Sequence, residues 1–193
     1  LGNEYQKAFQ VKLSINDLFN NTSIKLQGQL IQSSKETFVG IPVLEEASSY
    51  PISDAQRRLW VLSQFDTGSA AYNMPFQIPL MGNYDLDKFV SAIYAVIDRH
   101  EILRTVFRTD EFNEIRQWIL EQNELGFEVD YLNLSNSLNA EEQIAEYVAN
   151  DSFKPFDLEN GPLIRASILQ LSEEEYIFYY NMHHIISDGW SMD

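Results

Sequence analysis

Leu163-Ile164-Arg165-Ala166-Ser167-Ile168-Leu169-Gln170-Leu171-Ser172-Glu173-Glu174-Glu175-Tyr176-Ile177-Phe178-Tyr179-Tyr180-Asn181-Met182 decides the fold class. Two runs rich in β-branched and aromatic residues, Leu163 to Leu169 and Tyr176 to Met182, flank the polar turn Ser172-Glu173-Glu174-Glu175, which predicts a hairpin. The second run passes straight into His183-His184-Ile185-Ile186-Ser187-Asp188-Gly189-Trp190, so two of the chain's three histidines stand where a strand becomes a loop. A carboxylate follows the second histidine by four residues, and Gly189 can free a backbone amide to face a ligand.

Working outward, Asp85 caps the clearest helix, where Leu86, Phe89, Val90, Ile93, Tyr94 and Ile97 recur at helical spacing and His100 closes the last turn. Ser53 followed by Gln56 is a capping box that opens another helix to about Gln64, with Ala55, Leu59 and Leu62 facing inward. Gly68 to Pro79 reads as loop passing into strand. Further strands are expected at Ile102 to Arg108, Glu114 to Leu120 and Phe127 to Leu132, with a helix from about Ala140 to Asp151. The predicted class is α+β, a two-layer α/β sandwich. Residues 1–33 read differently, as short amphipathic helices: one ends near Phe9, a turn falls at Leu18 to Phe19, and Thr22 caps the next. A linker is expected over 34–50, where periodicity fades around Gly40 and Pro42, and the larger unit is expected to span 51–193.

Among 193 residues, 45% hydrophobic and 13% aromatic content suffices for a packed core. A net charge of -16 opposes binding to phosphate backbones, so nucleic acid is not an expected partner. No apolar run reaches the roughly 20 residues of a membrane span, and a soluble cytoplasmic protein is expected. The lack of cysteine excludes a thiolate nucleophile and a Cys-ligated zinc site. Adjacent strand residues point to opposite faces, so His183 and His184 cannot easily share an ion, and no metal is expected. Taken alone, a strand-end histidine also reads as a satisfied core residue, and Asp188-Gly189 as a simple turn.

Several segments together resemble the condensation domains of nonribosomal peptide synthetases. Ser53-Asp54-Ala55-Gln56-Arg57-Arg58-Leu59-Trp60 matches the family's first core motif, and Arg99-His100-Glu101-Ile102-Leu103-Arg104-Thr105-Val106-Phe107 its second. The third, His-His-x-x-x-Asp-Gly, is His183 to Gly189. Ser69-Ala70-Ala71-Tyr72-Asn73, Pro155-Phe156-Asp157-Leu158, Gly161-Pro162-Leu163 and Arg165 agree as well. Phe9-Gln10-Val11-Lys12-Leu13 and Asp17-Leu18-Phe19 make residues 1–33 similar to the carboxyl-terminal helices of a peptidyl carrier protein, whose Gly-Gly-x-Ser site would precede residue 1.

The resemblance implies a chloramphenicol acetyltransferase-like amino-terminal lobe, with a second lobe closing a tunnel over the site. It implies amide formation between an upstream acyl or peptidyl thioester and the amine of a downstream aminoacyl thioester, both borne on the 4'-phosphopantetheine of carrier proteins. The expected partners are therefore those carriers and the remaining synthetase domains, with no cofactor bound directly to this chain. It assigns catalysis to His184, as base or as positioning group. His183 packs within the lobe, Asp188 braces the loop through a salt bridge to Arg58, and Gly189 keeps that loop tight. His183 excludes the heterocyclisation pattern, and the complete second motif favours joining of two L-configured residues. Two alternatives stand beside this reading: a docking or structural lobe inactive in isolation, and another acyltransferase of the superfamily, such as a wax ester synthase.

Overall fold

The computed structural model describes residues 2–9, 11, 13–34, 43–65 and 70–192. Gln10, Lys12, Ser69 and residues 35–42 of the expected linker lie outside the described residues. The chain divides into two compact units, Leu1–Glu46 and Ala47–Asp193.

The first unit holds three short helices, α1 (Gly2–Phe9), α2 (Ile15–Asn20) and α3 (Ile24–Ser33). Ser14 and Asp17 form a reciprocal capping box on α2, so Leu18 and Phe19 lie within a helix where the sequence suggested only a turn. Ser23, not the expected Thr22, caps α3 by accepting from Leu26 N. The two hydroxyl residues are neighbours, and only Ser23 lies three residues before that amide. Tyr5 Oη donates to Gln27 Oε1, tying α1 to α3.

In the second unit the expected hairpin is the centre of a four-stranded sheet. Strands β2 (Asn73–Met81), β5 (Val129–Asn133), β6 (Ile164–Gln170) and β7 (Glu175–His183) take the order β2-β7-β6-β5. All neighbours are antiparallel except β5, which runs parallel to β6 and is joined to it through helix α6 (Ala140–Ser152). Helix α5 (Leu86–Arg99) starts at Asp85, whose side chain accepts from Lys88 N as the sequence predicts.

The α+β class stands, with fuller layering than a simple sandwich. On one face Phe178, Tyr180, Met182, Ile164 and Ala166 pack with Ile93 and Ile97 of α5. On the other, Tyr179, Ile177 and Leu169 pack with Ile144, Tyr147 and Val148 of α6. Strand alternation produces this division directly, because a strand covered on both sides can be apolar at every position. Edge strand β2 places Pro75 and Pro79 opposite Asn181 and Ile177. Proline lacks an N–H, so these positions cannot donate to β7, and they also blunt the outer edge against pairing with another chain.

A smaller sheet, order β1-β4-β3, joins β1 (Tyr50–Pro51), β4 (Ile115–Ile119) and β3 (Thr105–Thr109). The strand expected from Ile102 begins late, because Glu101–Arg104 wind into a 3-10 turn held by Thr105 Oγ1 donating to Glu101 O at 2.8 Å. Helix α4 (Asp54–Ser63) has the predicted Ser53–Gln56 capping box. Leu59 packs on the core, but Ala55 and Leu62 are exposed rather than inward, since they face a cavity.

Candidate functional site

Strand β7 ends at His183, and its pairing fixes both histidines. His183 N donates to Leu163 O at 3.0 Å, while His184 N leaves the sheet and donates to Tyr72 O at 2.8 Å. A turn closes as Ile186 N donates to His183 O, and the buried Ile185 and Ile186 anchor it in the core.

The two imidazoles have opposite surroundings. His183 is 1% exposed, and its ring meets Phe156 edge-on at 6.1 Å and Tyr72 at 6.4 Å. Its Nδ1 accepts from Ile185 N at 3.1 Å. Burial, and secondarily the neighbouring His184, push its pKa from 6.5 down to about 4. It is neutral and structural near neutral pH.

His184 is half-buried on the wall of a cavity of about 720 Å³. Its Nδ1 lies 2.6 Å from Ser187 O. A carbonyl can only accept, so Nδ1 carries a proton and donates this bond, which leaves Nε2 as the ring nitrogen not engaged by the turn. The turn thus fixes the orientation of the ring through Nδ1.

The same cavity is lined by Arg58, Tyr72, Ser187, Asp188 and Ser191. The fold therefore brings together Arg58 from α4 with His184 and Asp188 from the loop, residues more than a hundred positions apart. Arg58 is exposed, and its Nε donates to Asp54 O at 3.3 Å. Asp188 Oδ1 accepts from Ser191 N at 3.0 Å and from Ser191 Oγ at 2.7 Å, closing the loop's last turn. Gly189 opens that turn with open space where a side chain would stand. Arg57, on another face of α4, approaches Glu114 at 3.9 Å in solvent. From the second motif, Arg104 Nη1 donates to Leu120 O and Nη2 to Asp98 O, ending α5 against β4. His100 caps α5 and lines an apolar cavity of about 510 Å³ under that helix.

Beneath the turn lies a polar cluster that the sequence did not reveal. Arg165 Nε donates to Asp151 Oδ1 at 2.6 Å, while Tyr179 Oη and Asn181 Nδ2 each donate to Asp151 Oδ2 at 2.8 Å. The guanidinium also stacks 3.7 Å from the centre of the Phe156 ring, and Phe156 in turn meets His183. Burial and the Asp151 charge hold the Tyr179 phenol well above its usual range. The available signal was Asn181, a lone amide in an otherwise apolar strand. Among the described residues, no group of three or more His, Asp or Glu side chains lies together to hold a metal.

A half-buried imidazole thus stands at a strand end on the wall of an open cavity, held through Nδ1. The profile of the condensation domain matches residues 46–193. The chain is 38% identical to bacitracin synthase 3 of Bacillus licheniformis over 187 residues, 96% of this chain and 3% of that protein. It is 36% identical to tyrocidine synthase 3 of Brevibacillus parabrevis over 190 residues, again 3% of the relative's length. The starter condensation domain of rhizomide synthetase superposes with a TM-score of 0.69 at 25% identity, over 75% of this chain and 34% of that one. The first condensation domain of the calcium-dependent antibiotic synthetase gives 0.67 at 21% identity, over 76% and 35%. The chain belongs to the condensation-domain family of nonribosomal peptide synthetases.

Proposed function

We propose that Ala47–Asp193 is the amino-terminal lobe of an amide-forming condensation domain, of the subtype joining two L-configured residues, and that His184 is its catalytic residue. The single observation carrying this reading is the Nδ1–H bond from His184 to Ser187 O, which leaves Nε2 as the acceptor at the cavity. In the reaction, the amine of a downstream aminoacyl thioester attacks the carbonyl carbon of an upstream acyl or peptidyl thioester. The C–N bond forms, the C–S bond breaks, and the proton lost by the amine passes through Nε2 to the departing thiolate. Both substrates would arrive on the 4'-phosphopantetheine arms of carrier proteins, and residues 1–33 are read as the end of the upstream carrier. Its support is three short helices, two of them with a serine cap, in a separate unit. His183, locked in the core, orients the turn, and Gly189 keeps the loop tight beside the substrate.

The test is dipeptide formation by the intact synthetase with both carriers loaded. His184→Ala is expected to lower the rate by roughly 10²- to 10⁴-fold while loading is unchanged. An unaltered rate would overturn the assignment. Assaying the 193-residue chain beside the full domain separates a catalyst from a docking lobe.

A further inference from the structure

Three buried side-chain atoms near the end of β7 have no partner among the described residues: His183 Nε2, Asn181 Oδ1 and Asn73 Oδ1. Their hydrogen-bonding character is fixed by their neighbours. His183 Nδ1 accepts from the Ile185 amide, so in the neutral ring Nε2 must carry the proton and is a donor. Asn181 Nδ2 faces Asp151 O and Oδ2, both acceptors, so the remaining Asn181 atom is the amide oxygen. Asn73 Nδ2 faces Ser152 O at 2.8 Å and Lys154 O at 2.9 Å, with the same consequence. One donor and two acceptors are thus buried without complement, each having lost its hydration.

Their residues also lie on one face of the sheet, near one end of α6. Asn181 and His183 are two apart on β7 and project to the α6 side, and Asn73 is the register partner of His183. Pro75, two residues along β2, cannot donate to β7, so Asn73 and His183 form a non-hydrogen-bonded pair, the kind in which Cα atoms approach to about 4.5 Å. Asn181 and Asn73 both reach the end of α6, over Asp151, Ser152 and Lys154.

We propose that one buried water molecule joins these atoms, accepting from His183 Nε2–H and donating to Asn181 Oδ1 and Asn73 Oδ1. Two donors and an acceptor site are what a water supplies, and buried waters typically make about three such bonds. Through this water, the Nε2–H tautomer of His183 is held, Nδ1 stays free to accept from Ile185 N, and the turn bearing His184 is set on β2, β7 and α6 together. Asn73 and Asn181 are then positioning residues for His184, a consequence that rests on the catalytic reading above.

A high-resolution crystal structure of the intact condensation domain is the direct test. A solvent peak within about 3.2 Å of all three atoms is expected. No peak, a side chain in its place, or a His183 ring turned so that Nε2 meets a carbonyl overturns the proposal. In solution, ¹⁵N spectra of labelled histidine should report His183 as the Nε2–H tautomer, and the Nδ1–H form overturns it. For positioning, Asn181→Leu is expected to lower kcat about 10-fold with KM changed less than about 2-fold. A raised KM with kcat intact overturns that part. The crystallographic and spectroscopic tests need no substitution and no activity, so they stand or fall apart from the role of His184.

Discussion

The α6 side of the large sheet and the wall of the larger cavity are built from similar residues to different ends. On the α6 side, Asp151, Arg165, Tyr179 and Asn181 hold one another through side-chain bonds between a helix and two strands, and His183 packs beside them against Phe156. On the cavity wall, Arg58, His184 and Asp188 contact near-neighbour backbone, at Asp54, Ser187 and Ser191 respectively. The first arrangement spends its polar groups on fixing strands in register. The second sets its polar side chains along the wall of an open cavity. His183 and His184, consecutive in sequence, fall on either side of this boundary because one is the last residue of a strand and the other the first of a turn. Substitutions should therefore separate stability from activity across a single peptide bond.

The largest stability effect is expected at Asp151. Its side chain is 12% exposed and that of Arg165 20%, so Asp151→Leu leaves the guanidinium without its counter-charge and the Tyr179 phenol without its acceptor, while Arg165 and Asn181 keep bonds to backbone carbonyls. Breaking such a pair from one side costs about 3–5 kcal/mol, whereas His184→Ala, at a half-buried turn, should cost about 1 kcal/mol or less. Urea unfolding of both variants makes the measurement. Equal losses would abolish the distinction between foundation and working surface.

Next in size is the pH dependence from His183. Its pKa in the folded chain is about 4 against 6.5 when solvated, so the unfolded state binds the proton more readily between these values. Stability is in full above pH 6.5 and falls as the pH drops to 4, by about 3 kcal/mol at roughly 1.4 kcal/mol per unit. Asp157, held below its usual 3.8 mainly by the Asn160 side chain, titrates under this window. His183→Gln should flatten the curve between pH 6.5 and 4, and His184→Ala should leave it steep. A curve of unchanged slope in His183→Gln would remove His183 from the buried set.

What the sequence revealed of these two regions follows from how local each signal is. Ser53–Gln56 and Asp85 are legible because a cap is written within four residues. Strands β6 and β7 are legible because the Ser172–Glu175 turn punctuates two apolar runs. His184 is legible through the resemblance, and the orientation of its ring needs only Ser187, three residues on. The Asp151–Arg165 pair is different: its partners come from a helix end and a strand, and it forms only once α6 has crossed back to set β5 parallel to β6. Nothing in either residue's surroundings marks that meeting. Helix α4 misled for a related reason, since apolar spacing shows that Leu62 shares a face with Leu59 but not that the face borders a cavity.

A smaller effect separates packing from conformation at Gly161, beneath β3. Its φ is +67°, and an added Cβ would stand 3.0 Å from Val106 Cγ1 in a fully buried side chain. Gly161→Ala is expected to cost about 1–3 kcal/mol, from the left-handed backbone and from the contact together. Adding Val106→Ala should relieve the contact alone, so the double variant should lose less than the two single losses added. Simple additivity would show that backbone conformation carries the whole effect.

The smallest effect concerns Arg58 and Asp188, and it bears most directly on the cavity wall. The proposed brace joins two exposed residues that line one cavity, each with a local backbone partner at hand. An ion pair in such a place contributes about 0.2–1 kcal/mol, because water solvates both charges and two long side chains must be ordered. A double-mutant cycle with Arg58→Gln and Asp188→Asn in the intact domain should give a coupling of that size, shrinking as salt is raised. If the brace shapes the loop, dipeptide formation should fall in both single variants and no further in the double, since each removes the same contact. Independent losses in activity would instead leave Asp188 acting through Ser191 alone, and Arg58 as a separate charged group on the substrate side of the wall.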